Sequence, residues 1–146
     1  MIRKWDAKET RPLLTLWLES TIHAHPFINE TYWHESVAVV RDVYLPAAST
    51  WVWEENATIK GFVSVMESRF IGALFVAPDA IRRGIGSALL DEVKQHYRWL
   101  SLEVYQKNVQ AVNFYHAQGF RIEDCAWQDD TLQPTWIMHW PADQTL

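Results

Sequence analysis

The sequence predicts an α/β domain of the α+β kind, a mixed and mostly antiparallel central sheet of about seven strands flanked by about four helices. Three observations carry this. Alternating and helical hydrophobic periods follow one another as strand, two helices, three strands, helix, strand, helix and two strands. A strand at Phe70–Val76 runs through a loop with Gly84 and Gly86 straight into an amphipathic helix. The 146 residues, 49% hydrophobic, suffice for one core, so positions 1–146 are expected to form a single domain.

In chain order, residues 2–6 form a short strand. Leu13, Leu14, Leu16, Trp17 and Leu18 give a helical apolar face, with Pro12 tolerated in the first turn. Pro26 drives His25 out of helical geometry and ends that helix. A second helix is expected from Asn29 to Tyr44, stopping before Pro46. Trp51-Val52-Trp53 opens a strand, Glu55-Asn56 turns, and Ile59–Met66 is its hairpin partner. Gly72, inside the Phe70–Val76 strand, suggests a bulge. Ile85, Ala88, Leu89 and Val93 mark the next helix, and Trp99–Tyr105 is a strand. Asn108 is placed to cap a helix that ends at Gly119, and Arg121–Gln128 and Thr135–Trp140 close the sheet.

Composition removes several function classes. Net charge is −5 and no basic cluster exceeds Arg82-Arg83, which argues against a nucleic-acid partner. No apolar run approaches the roughly 20 residues that span a bilayer, and no hydrophobic run follows the N-terminal charges, so neither membrane nor secretion is expected. The single cysteine, Cys125, fits a reducing, cytoplasmic setting. His34-Glu35 lacks a second histidine at zinc-helix spacing, so no metal is expected. His23 and His25 flank the break between the first helices, facing solvent or lining a cleft.

Two segments carry chemistry. Gly84 and Gly86 let the backbone approach an anion closely, the helix start offers unpaired N–H groups, and Arg82 and Arg83 add charge. That suits a pyrophosphate. Leu89 stands where a dinucleotide loop needs its third glycine, and the Gly-Lys pair of a P-loop is absent; a simple tight turn is the alternative. In the second segment Asn108 and Tyr115, seven residues apart, share a helix face. Tyr115 either presents a phenol to a cleft or packs the helix onto the sheet.

Together, Phe75-Val76-Ala77-Pro78 through Arg82-Arg83-Gly84-Ile85-Gly86-Ser87 and the run Leu102-Glu103-Val104 through Asn108, Phe114-Tyr115 and Gly119-Phe120 resemble the paired motifs of the GNAT (Gcn5-related) N-acetyltransferases. The likeness extends over the whole chain and implies the GNAT fold, acetyl-CoA as co-substrate and acetyl transfer to a primary amine. By motif position it implies that the backbone of Leu74, Phe75 and Val76 receives the acetyl group and pantetheine arm. Arg82, Arg83, Gly84, Ile85, Gly86 and Ser87 would cradle the pyrophosphate, and Asn108 would contact the arm. Tyr115 would protonate the departing thiolate. Ile81 stands where the family usually carries Arg or Gln, which weakens any side-chain clamp there.

Glu103 is the leading candidate to take the proton of the amine, with a solvent-facing strand carboxylate or a water chain as alternatives. Phe70, at the entry of the acetyl strand, either shapes the acceptor pocket or fills the core. The expected acceptor is a lysine side chain of a protein. A small-molecule amine, a protein N-terminus or a non-catalytic CoA-binding role stand as alternatives, and the assembly is expected to be a monomer or homodimer.

Overall fold

The computed structural model describes residues 1–141. Strand β1 (Ile2–Lys4) leads through a capped turn into helix α1 (Thr10–Ala24), whose buried side is Leu13, Leu16, Trp17, Ser20 and Thr21. Helix α2 (Glu30–Val39) is capped by Asn29, whose side chain accepts from the Thr31 N–H. Its expected stop before Pro46 is corrected by the structure. The helix widens into a π-turn over Val40–Tyr44, where the Leu45 N–H reaches back to the Val40 carbonyl, and continues as the short α3 (Leu45–Ala47). Pro46 lies in the first turn of that last piece, where its missing N–H breaks little.

Strands β2 (Ala48–Glu55), β3 (Thr58–Met66) and β4 (Phe70–Val76) follow as an antiparallel meander, β2 starting three residues before the expected Trp51. Helix α4 (Ile85–Lys94), strand β5 (Leu100–Tyr105), helix α5 (Val109–Ala117) and strands β6 (Arg121–Gln128) and β7 (Gln133–Trp140) complete the order. The sheet runs β1-β2-β3-β4-β5-β7-β6, so the last strand inserts between β5 and β6. Among the described strands only β4 and β5 pair in parallel. No helix among the described residues is long and apolar enough to cross a membrane.

Alternation along β3 sorts the helices onto two faces. A Cβ added at Gly61 would meet Ile85 of α4 at 2.9 Å, while Phe62, on the opposite face, lines a cavity with Leu13 of α1. Ile85, Leu89, Leu90 and Val93 of α4 are almost wholly buried, each contributing about 1.5–3 kcal/mol of apolar burial. Helix α5 lies beside α4, where Gln118 hydrogen-bonds Ser87 at 3.0 Å.

One irregularity positions the site. In the β3–β4 ladder Ser64 pairs with Ala73 and Val65 with Ile71, so Gly72 is the extra residue of a β-bulge, as the strand glycine suggests. On its other edge β4 pairs with β5 only at Phe70–Ser101 and Ile71–Leu102. Beyond that point the two strands part.

Candidate active site

The first residues past the last β4–β5 pair are Gly72 on one strand and Glu103 on the other. From there a cleft of about 570 Å³ opens between the strands. It is lined on one face of the sheet by His25, Tyr32, Trp33 and Glu35 of the α1–α2 region, and on the other by Asn108, Ala111 and Tyr115 of α5. The cleft therefore passes through the sheet. Its β4 wall, Gly72–Phe75, offers backbone N–H and C=O groups that the β5 ladder no longer uses.

Glu103 stands on the α1–α2 face of β5, the same face as Tyr105, whose ring meets His25, Phe27 and Trp33. Its Oε2 accepts hydrogen bonds from Thr135 Oγ1 at 2.5 Å and Gln128 Nε2 at 2.7 Å. These donors come from β7 and β6, so the closing strands fix the carboxylate. Tyr115 is 9% exposed, edge-on to Phe114 and Phe120 at centroid distances of 5.3 and 5.6 Å. Burial pushes its phenol well above the ordinary tyrosine range, so it stays protonated. Among the described residues nothing hydrogen-bonds its hydroxyl.

The remaining expected residues fall into three groups. Leu74, Phe75 and Asn108 line the cleft. Asn108 also caps α5, its Oδ1 accepting from the Ala111 N–H at 3.3 Å, which leaves its Nδ2 as the free donor. Val76 lies at the far end of β4, pairing with Gly61 and accepting a 3.4 Å hydrogen bond from Ser20. Gly84 has φ +82° and caps α4, and the first helical bond is Ala88 N–H to Gly84 C=O. The N–H groups of Ile85, Gly86 and Ser87 are thus unpaired at the positive end of the helix. A Cβ on Gly86 would meet Phe114 at 3.4 Å, so the loop lies close against α5.

Arg82 is exposed with φ +65°, whereas Arg83 makes a two-pronged ion pair with Glu55, at 2.7 and 2.8 Å. Those hydrogen bonds hold the Glu55 carboxyl at about 2. Arg83 is therefore a brace between the loop and the end of β2 rather than a free cation. Ile85 is buried over Gly61 and offers only its backbone.

Phe70 lies outside the main cleft. It lines a second, largely apolar cavity of about 390 Å³ with Leu13, Leu14, Leu45, Phe62 and Met66. The two cavities share Trp17, Val40, Tyr44, Gly72 and Ala73, so they adjoin at the bulge. Sequence reasoning missed Gly61, the Glu55 brace and the Thr135–Gln128 support of Glu103. It left His25 between solvent and cleft; the structure buries it in the cleft wall, 7% exposed.

Comparison with known proteins identifies the architecture. The family model for the acetyltransferase (GNAT) domain matches residues 13–133. The chain belongs to the GNAT acetyltransferase family. It is 58% identical, over the full length of both chains, to the peptidyl-lysine N-acetyltransferase YiaC of Escherichia coli K12. The solution structure of apo YjaB from E. coli superposes with a TM-score of 0.82 at 28% identity, covering 96% of each chain. A PaiA N-acetyltransferase of Thermoplasma acidophilum, solved with coenzyme A, shares the fold at a TM-score of 0.81 and 20% identity, covering 95% of this chain and 96% of its own.

This GNAT enzyme is an acyltransferase with acetyl-CoA as donor. Its residues fit that co-substrate on their own terms. The open edge of β4 matches the amides of a pantetheine arm, and the free N–H groups at the start of α4 match a pyrophosphate.

Proposed function

We propose that this enzyme acetylates lysine side chains of proteins by direct transfer, the acetyl donor entering from the α4–α5 face and the amine from the α1–α2 face. What carries the acceptor is the full-length 58% identity to a peptidyl-lysine N-acetyltransferase. The acceptor face adds to it. Glu35, Glu103 and Asp130 line the cleft there, a setting that suits a cationic side chain.

Acetyl-CoA supplies an acyl group activated as a thioester. The backbone of Leu74 and Phe75 binds the arm along the unpaired edge of β4, Asn108 Nδ2 holds it from α5, and the start of α4 takes the phosphates. A lysine amine, with a reference pKa near 10.4, arrives almost entirely as ammonium at neutral pH. The Glu103 carboxylate, fixed by Thr135 and Gln128 at the point where the strands part, accepts its proton. Tyr115, kept as a phenol by burial, donates a hydrogen bond to the departing sulfur as CoA leaves in its thiolate form. Phe70 shapes the apolar cavity beside the bulge, not the cleft itself.

Peptides carrying both a free α-amine and an internal lysine separate the acceptors. Mass spectrometry should find the acetyl group on the lysine side chain. Modification confined to the α-amine would sink the lysine assignment while leaving the acetyl-CoA half intact.

A further inference from the structure

We propose that Nε2 of His25 accepts a hydrogen bond from the acceptor's amine, making His25 an acceptor-binding residue of this enzyme. The proposal rests on the reading that the amine enters from the α1–α2 face.

The chain sets His25 rigidly. Pro26 ends α1 there, and the last turn folds the imidazole back on itself. Nδ1 lies 2.7 Å from the Thr21 carbonyl oxygen and 3.1 Å from Thr21 Oγ1. A carbonyl oxygen only accepts, so Nδ1 carries the hydrogen. Desolvation of the buried ring lowers its affinity for a second proton, so it is neutral at physiological pH. A neutral ring with its hydrogen on Nδ1 has a bare lone pair on Nε2.

The ring also stands in the right place. It is tilted 30° over Trp33 at 5.1 Å and lies edge-on to Tyr105 at 5.2 Å and Phe75 at 6.5 Å. Phe75 is on β4 and Tyr105 on β5, the two strands that part, so His25 roofs the gap between them. Glu103 is two residues from Tyr105 on the same face of β5. A histidine kept only for the core would be expected to have both nitrogens satisfied. Here, among the described residues, only Nδ1 has a protein partner, and the ring lines the cleft.

An incoming ammonium carries three N–H donors. Glu103 takes one as its proton acceptor and His25 Nε2 takes another as a hydrogen bond. Once Glu103 has taken its proton, the hydrogen bond to Nε2 keeps the neutral amine in the cleft, where it turns its new lone pair from Glu103 toward the thioester.

Two isosteric variants test this. His25→Asn keeps an amide donor near the place of Nδ1 and deletes the Nε2 acceptor. His25→Gln reaches the place of Nε2 with a carbonyl oxygen. With a lysine peptide and saturating acetyl-CoA, His25→Asn should raise the peptide KM at least tenfold, with kcat within threefold and acetyl-CoA affinity unchanged. His25→Gln should bring KM back to within threefold of wild type.

An unchanged KM in His25→Asn, an equal rise in both variants, or a loss confined to kcat would overturn the proposal. If His25→Asn fails to fold, the wild-type protein labelled with ¹⁵N-histidine decides. The Nε2 resonance should be that of an unprotonated nitrogen and should move when lysine peptide joins the CoA complex; a stationary resonance overturns the assignment. Failure of the lysine reading itself shows separately, as absence of side-chain modification by the wild-type enzyme.

Discussion

Tyr115 illustrates how burial tunes a single proposed role. A phenol desolvated among Phe114 and Phe120 is a weaker acid than free tyrosine, while a thiol near the reference pKa of about 8.5 is already a fair leaving group. In the proposed mechanism Tyr115 would therefore contribute mainly by donating a hydrogen bond to charge building on sulfur. Tyr115→Phe keeps the ring packing, so acetyl-CoA affinity and melting temperature should hold while kcat falls about 10²-fold, at the low end of general acid effects. Steady-state kinetics and calorimetry on the purified variant check both halves. Turnover within about threefold of wild type would remove Tyr115 from the chemistry. Tyr115 and Glu103 can be singled out in the sequence because their motifs carry them, and both line the cleft. His25 was not, since its burial depends on Trp33, Phe75 and Tyr105, contacts that local spacing does not encode. The pairing of Arg83 with Glu55, 28 positions away, leaves no mark in local spacing either.

At the scale of elements, the loop entering α4 is where sequence and structure agree best. Glycines leave a signature that side-chain packing does not. Gly84 has the left-handed φ that its residue type allows, and Gly72 forms the bulge that a strand glycine suggests. The π-turn over Val40–Tyr44 leaves no such mark, and Pro46, which in the sequence reads as a stop, lies in the first turn of α3. Gly86→Asp tests the loop. The variant's Cβ meets Phe114 at a tolerable 3.4 Å, but its carboxylate stands among the free N–H groups where phosphates are proposed to lie. Acetyl-CoA binding measured by calorimetry should weaken at least tenfold, about 1.4 kcal/mol, in a variant that melts cooperatively. Unchanged affinity would move the pyrophosphate elsewhere.

For the whole molecule, the element order was readable from hydrophobic period, yet β7 inserting between β5 and β6 was not, because strand order depends on long-range pairing. That insertion is what delivers Thr135 to Glu103. Stability also carries a global signature. Below about pH 6.5 the unfolded chain binds a proton at His25 that the folded chain resists, so stability must decline as pH falls. Lower still, Glu9, whose hydrogen bonds from Arg3 depress its carboxyl, loses its contribution as it protonates, in the same direction. Thermal melts from pH 7.5 to 5 should show a falling midpoint, and His25→Asn should flatten that slope; equal slopes would place the titration elsewhere. The cleft that crosses the sheet has a last consequence, one of traffic. With donor and acceptor entering from opposite faces, as proposed, neither substrate would need to vacate the slot before the other enters, and spent CoA could leave while the modified protein is still docked. The acetyl group then needs no resting place on the enzyme. The lone thiol, Cys125, sits exposed on the edge strand β6, outside the lining of the passage.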